Sequence, residues 1–125
     1  MRLRRLFGLS KDTITAFRDI LGERGVKTDD IEKYTKDWQG LYGGDGSVVL
    51  FPRTSEQVSK VMKICYKNKI PIVPQSGNTS LVAGGIPIKN EVVLSLEKMN
   101  KIGEFDKNNG VIDVESGVIL QNLQE

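Results

Sequence analysis

The stretch Pro74-Gln75-Ser76-Gly77-Asn78-Thr79-Ser80-Leu81-Val82-Ala83-Gly84-Gly85-Ile86-Pro87 decides how the rest of the chain is read. It follows the apolar run Ile70-Pro71-Ile72-Val73. Small residues let a backbone turn sharply and approach a ligand closely, and consecutive N–H groups form an anion-binding concavity without any cationic side chain. Gly, Ser, Asn and Pro are also ordinary turn formers, so composition alone fits a plain surface loop. Leu81 and Val82 argue against that. Two aliphatics between glycine-rich turns are expected to be buried by a loop folded back on its domain. The stretch therefore reads as an ordered phosphate cradle.

The flanking sequence gives the cradle a platform. Val48-Val49-Leu50-Phe51 is continuously apolar, as a strand covered on both faces is, and Pro52 ends it. Thr54 followed by Gln57 fits a capping box, after which Val58, Val61, Met62 and Cys65 repeat along one face of a helix reaching about Asn68. With the strand Ile70 to Val73, residues 47 to 74 are expected to form a βαβ unit with a right-handed crossover. In such units ligands bind beyond the carboxyl ends of the strands, where this loop begins. Pro71 and Pro74 keep the strand short, and Pro74 fixes the direction of exit.

Beyond the loop, Val92, Val93, Leu94 and Leu96 predict a third strand. Ile102 to Phe105 and Val111 to Val114 predict an antiparallel hairpin whose turn places Asn109 and Gly110 at positive φ. Ile119, Leu120 and Leu123 open a helix that breaks off before it can pack, so the 125 residues are expected to be a piece of something longer. Ahead of the first strand, Ser10 suits the N-cap of an amphipathic helix to about Glu23, with Ile14, Phe17, Ile20 and Leu21 at helical spacing. A second short helix is expected from Asp29 or Asp30 through Tyr34.

Two nucleotide-binding patterns fail. Gly44 and Gly46 begin a spaced-glycine fingerprint, but the third glycine is missing and the run precedes a strand instead of joining strand to helix. Neither glycine cluster is followed by Lys and Ser or Thr as in a Walker A loop.

Composition narrows the chemistry further. With 38% hydrophobic and 27% charged residues, the chain reads as one globular domain. A formal net charge of +2 from 18 basic and 16 acidic residues makes no electrostatic case for nucleic acid, and Lys60, Lys63, Lys67 and Lys69 read as a solvated helix face. One cysteine, Cys65, at an apolar helical position, excludes an internal disulfide and a cysteine-based zinc site. There is no histidine, which removes a histidine base, a histidine-ligated metal and a Ser-His-Asp triad from this segment. No catalytic or metal-ligating residue is assigned here. No apolar run approaches the roughly 18 residues of a membrane-spanning helix. Arg2, Arg4 and Arg5 among Leu3, Leu6, Phe7 and Leu9 resemble the start of a mitochondrial transit segment; the chain otherwise reads as cytoplasmic. Asn78-Thr79-Ser80 matches a glycosylation sequon, discounted because no secretory signal is evident and a glycan would block the loop.

From Asp37 to the end, the order of a strand closing on Pro52-Arg53-Thr54, the helix Ser55 to Asn68, the loop Pro74 to Gly85, Ile86-Pro87-Ile88 and Val93-Leu94-Ser95-Leu96 resembles the FAD-binding domain of the vanillyl-alcohol oxidase and p-cresol methylhydroxylase superfamily. Within it, the resemblance is closest to the D-2-hydroxyglutarate dehydrogenases and related D-lactate dehydrogenases. The implied fold is α+β: a PCMH-type FAD-binding domain with a βαβ unit followed by antiparallel strands, here incomplete. Residues 1–36 would be an amino-terminal helical segment and 37–125 the first part of that domain.

By position, the family's loop wraps the FAD pyrophosphate. Pro74, Gln75, Ser76, Gly77, Asn78, Thr79, Ser80, Gly84 and Gly85 are then the expected cofactor-binding residues, most of them through backbone amides. The family commonly has glycine at Ser76, near Ser80 and at Ala83. These replacements are tolerated where φ is negative and cost on the order of 1 kcal/mol each where φ is positive. The resemblance also implies that flavin-ring contacts, a substrate pocket and a histidine-containing metal site lie in other segments. The parent would be an FAD-dependent dehydrogenase oxidising a D-2-hydroxy acid to the 2-oxo acid and passing electrons to a protein or quinone acceptor, the 125-residue chain alone being inactive. The alternatives are a non-catalytic truncated nucleotide-binding or interaction module, and a redox-free regulatory domain for another phosphate compound.

Overall fold

The computed structural model describes residues 9–125; the arginines of the transit-like start lie outside the described residues. Helix α1 (Lys11–Leu21) begins where Ser10 Oγ accepts the Thr13 N–H at 3.1 Å and ends at Gly22, whose φ of +76° no branched residue adopts cheaply. A 3₁₀ turn (Glu23–Gly25) leads to β1 (Val26–Lys27), which was not foreseen from sequence. Helix α2 (Glu32–Thr35) is shorter and begins later than expected. Then come β2 (Asp45–Leu50), α3 (Ser55–Lys67), β3 (Ile72–Gln75), β4 (Lys89–Ser95), β5 (Ile102–Asp106), β6 (Val111–Val114) and α4 (Leu120–Gln124).

Four strands form one sheet in the order β1-β2-β4-β3. Strands β2 and β3 do run parallel, but they are not neighbours. Strand β4 inserts between them, pairing Val48, Val49 and Leu50 with Val92, Val93 and Leu94 on one side, and Ile72 to Gln75 with Val92 to Ser95 on the other. Hydrophobic periodicity cannot reveal this, because it marks which residues are buried and not which strand they pair with. The loop from Pro74 to Ile88 is thus the connection that carries the chain from the edge strand back into the sheet centre.

Both sheet faces are covered, as the continuous apolar runs require. Val48, Leu50, Val92 and Leu94 pack with Ile14 and Phe17 of α1 and Val61 and Cys65 of α3. On the other face, Val49 and Val93 pack with Tyr34 and Phe51, whose rings meet edge to face at 5.5 Å. Each such fully buried side chain contributes about 1.5–3 kcal/mol. The caps of α3 are local and legible: Thr54 Oγ1 accepts the Gln57 N–H at 3.1 Å, and Gln57 Oε1 accepts the Arg53 N–H at 2.8 Å, one residue further back than a standard capping box. Met62, expected on the buried face, is 46% exposed; Ile64 takes its place in the packing.

Strands β5 and β6 form a separate antiparallel ribbon. An irregularity between Ile102 and Phe105 lets these two residues, three apart, share a face with Val114 and Ile112. At the turn only Gly110 takes positive φ (+65°); Asn109 instead donates its side-chain amide to Asp106 Oδ2 at 2.7 Å.

Candidate functional site

At the carboxyl ends of β3 and β4 a cleft of about 1100 Å³ opens between the α2 region, the start of the Pro74–Pro87 loop and the segment 117–122. Ser76, Gly77, Asn78 and Thr79 form one wall. None of the backbone N–H groups from Ser76 to Ser80 is bonded to a backbone carbonyl of the described residues. Four of these consecutive residues, Ser76 to Thr79, line the cleft, and their free N–H groups make a site for an anion. Asn78, at φ +53°, supplies the left-handed residue that such a concavity uses, and asparagine tolerates that conformation better than most residues.

Side chains hold this run in place. Gln75 is buried, and its Nε2 donates to the carbonyls of Tyr34 at 2.9 Å and Gly85 at 2.8 Å, so it ties α2, β3 and the far end of the loop together. Ser76 Oγ donates to the Ser116 carbonyl at 2.8 Å. Asn78 Nδ2 donates to the Lys36 carbonyl at 2.8 Å. Ser80 Oγ accepts the N–H groups of Val82 and Gly84, closing the next turn on itself. Because these bonds order the loop, Leu81 and Val82 need not be buried, and at 65% and 84% exposed they are not. The apolar anchors are Ile86 and Pro87 instead.

Of the nine residues expected to bind cofactor, Gln75 to Thr79 line the cleft. Pro74, Ser80, Gly84 and Gly85 do not; Pro74 is the penultimate residue of β3, and Gly85 supplies the carbonyl that Gln75 holds. The loop glycines are not there for φ, since Gly77, Gly84 and Gly85 are absent from the positive-φ positions. A Cβ on Gly77 or Gly84 would meet nothing closer than 3.9 and 3.8 Å. The fold does not demand glycine there. Beside the donor run, the bare backbone of Gly77 lets a bound anion approach closely.

The charge in the cleft is mixed. Glu32, Lys33, Lys36, Asp37 and Glu97 all line it, and Lys36 Nζ pairs with Glu32 at 3.6 Å. Anion affinity would come from amides rather than a basic cluster. Tyr34 donates its hydroxyl to Glu97 Oε1 at 3.3 Å. Burial first, and then the Glu97 charge and hydrogen bond, raise the Tyr34 pKa, which keeps the phenol a neutral donor.

Trp38, Glu97, Asn100 and the segment Gly117 to Leu120 also line the cleft, and sequence reading assigned none of them. The available signal was Gly117: a Cβ there would lie 2.0 Å from the Leu96 carbonyl oxygen, so the chain must pass hard against the end of β4.

A family model described as an FAD binding domain matches residues 46–125. A probable mitochondrial D-2-hydroxyglutarate dehydrogenase of Oryza sativa subsp. indica is 39% identical over 117 residues, 92% of this chain and 21% of that protein. A putative mitochondrial D-lactate dehydrogenase of Schizosaccharomyces pombe is 41% identical over 91% of this chain and 23% of its own length. The chain therefore spans about a fifth to a quarter of the curated relatives it matches. Among solved structures, p-cresol methylhydroxylase with substrate bound superposes with a TM-score of 0.81 at 29% identity, covering 94% of this chain and 25% of that one. Alkyldihydroxyacetonephosphate synthase does so at 0.81 and 16% identity over 92% of this chain and 26% of that one, a likeness of fold alone. The fold, the match over most of the chain and the donor-lined cleft lead to one assignment: this chain belongs to the FAD-binding domain family.

Proposed function

We propose that the chain is the amino-terminal part of an FAD-dependent D-2-hydroxy acid dehydrogenase, acting on D-2-hydroxyglutarate or D-lactate, and that its own task is to grip the FAD pyrophosphate. The observation that carries this is the run of four N–H groups from Ser76 to Thr79 in the wall of the cleft, unbonded to backbone carbonyls of the described residues. Ser76, Gly77, Asn78, Thr79 and Ser80 serve as donors. Pro74, Gln75, Gly84 and Gly85 are supports: Pro74 sets the exit from β3, and Gln75 locks Gly85 against Tyr34. When bound, FAD supplies the hydride acceptor for oxidation of the α-carbon of the hydroxy acid. This chain, which has no histidine, contributes binding and orientation. Fixed amides suit that role because they cost no reorganisation on binding.

The substrate class rests on the relatives named above, and a Saccharomyces cerevisiae relative, 33% identical over 94% of this chain and 24% of that protein, is named a D-2-hydroxyglutarate–pyruvate transhydrogenase. We read the parent as mitochondrial on the same basis, with a protein, quinone or 2-oxo acid taking the electrons. The test is to purify the full-length protein, record its flavin spectrum and follow dye reduction by D-2-hydroxyglutarate and D-lactate. A yellow protein reducing dye with one of them is expected. A folded, colourless protein that does not reconstitute with FAD overturns the reading.

A further inference from the structure

Trp38 is 60% exposed and lines the same cleft as the Ser76–Thr79 donors. A tryptophan beside an anion site offers a flat apolar face on which a ring can stack. The loop that carries it is braced by hydrogen bonds. Asp37, buried, closes the loop 37–42: its N–H donates to the Tyr42 carbonyl at 3.1 Å, its Oδ1 accepts the Tyr42 N–H at 2.7 Å, and its carbonyl accepts the Gly40 N–H at 3.0 Å. The bond from Asn78 Nδ2 to the Lys36 carbonyl then ties this loop to the donor run itself. Within the loop the exposure is selective in direction. Leu41 and Tyr42 are also exposed but do not line the cleft, whereas Trp38 does. The cleft is bounded as well by Val118, Ile119 and Leu120, the last two 62% and 66% exposed. Alongside its charged residues, the lining thus includes a tryptophan and a short apolar segment next to an anion site, which suits a flat heteroaromatic ring joined to a phosphate.

We propose that Trp38 stacks on one of the two flat rings of the dinucleotide, with the apolar segment Val118–Leu120 lining the same cleft. This rests on the FAD reading above and goes beyond it by adding a ring-binding residue to the pyrophosphate grip. Adenine and isoalloxazine share the chemistry that a tryptophan face recognises, and fragments of the cofactor separate them. Stacking of a ring on an aromatic side chain is lost on truncation to alanine and largely kept by another aromatic.

The test uses the full-length protein stripped of flavin and titrated with FAD, ADP and FMN. Wild type is expected to bind FAD, W38A to bind it on the order of tenfold more weakly, and W38F to stay within about threefold of wild type. The thermal midpoint of flavin-free W38A, read beside that of wild type, separates a loss of stacking from a loss of fold. A matching loss for ADP alone assigns the adenine, and for FMN alone the isoalloxazine. W38A binding all three as tightly as wild type overturns this inference while leaving the FAD reading intact. Wild type binding none of them overturns both.

Discussion

Asn78 and Lys36, 42 positions apart, are joined by a 2.8 Å hydrogen bond from the Asn78 side-chain amide to the Lys36 carbonyl, and the same asparagine holds a left-handed φ of +53°. One residue therefore sets both the local turn of the donor run and its attachment to the Trp38 loop. Two substitutions separate these roles. N78G keeps the backbone freedom and loses the bond, at about 0.5–1.5 kcal/mol. N78A loses the bond and, unlike N78G, keeps a Cβ in the left-handed region without the short polar side chain that lets asparagine tolerate it, costing about 1 kcal/mol more than N78G. Urea midpoints at constant m-value should rank wild type above N78G above N78A. Equal midpoints for the two variants would show that φ at this position is not constrained.

Glycines divide into those the fold needs and those a ligand needs. A Cβ on Gly44 would lie 1.8 Å from the Pro87 carbonyl oxygen, and one on Gly117 would lie 2.0 Å from that of Leu96. G44A and G117A are expected to destabilise by at least about 2 kcal/mol, the upper part of the overpacking range. G77A and G84A meet no such atom and should stay within about 0.5 kcal/mol of wild type. For G77A, in the wall of the cleft, the cost falls on the cofactor, with FAD affinity lowered about tenfold as the methyl group intrudes on the cradle, whereas G84A, outside the cleft, should bind FAD as wild type does. Denaturation curves paired with flavin titrations check both halves. Unchanged affinity in G77A would remove the pyrophosphate from this wall.

The legible features of the sequence were those with local causes. Ser10 and Thr54 announce helix starts because their hydroxyls bond three residues ahead, and Val48 to Leu50 announces a two-faced strand by its unbroken apolar run. Strand β1 was invisible because two residues carry no period; it is held by pairing of Val26 and Lys27 with Leu50 and Val49, and by the bond from the Phe51 N–H to the Gly25 carbonyl. The insertion of β4 between β2 and β3 is likewise a matter of partners. The donor run of the site was readable as a string of small residues. The Trp38 side of the cleft was not, since it depends on α2 and the 117–122 segment meeting the loop in space. Leu81 and Val82 stay exposed, against the expectation for aliphatics in an ordered loop, because Ser80 satisfies the turn by hydrogen bonds alone.

Three small residues stand where the family resemblance led us to expect glycine, and the structure assigns them different consequences. Ala83 sits at φ +55°, while Ser76 and Ser80 are not among the positive-φ positions. A83G should therefore be neutral or stabilising by up to about 1 kcal/mol, the relief of left-handed strain offset in part by glycine's entropy in the unfolded chain. S76G and S80G should each destabilise by about 0.5–1.5 kcal/mol, since one loses the bond to the Ser116 carbonyl and the other the acceptor for Val82 and Gly84. Thermal midpoints of the three variants give the comparison, and a stabilised S76G would contradict the assignment.

Cys65 is buried between α3 and the sheet, and burial pushes its thiol pKa up to about 11 from 9.0. The neutral thiol is the form that packs, so this contribution to stability is fully present below pH 9, where the unfolded thiol is also protonated, and is lost as pH rises through about 11. The thiolate is the reactive species, so the native protein should resist alkylation at pH 8 twice over, by pKa and by access. Iodoacetamide labelling followed by mass spectrometry should show Cys65 protected in buffer and modified in denaturant. Rapid labelling of native protein at pH 8, with the fold intact by circular dichroism, would mean that the α1–α3 layer opens far more readily than its packing implies.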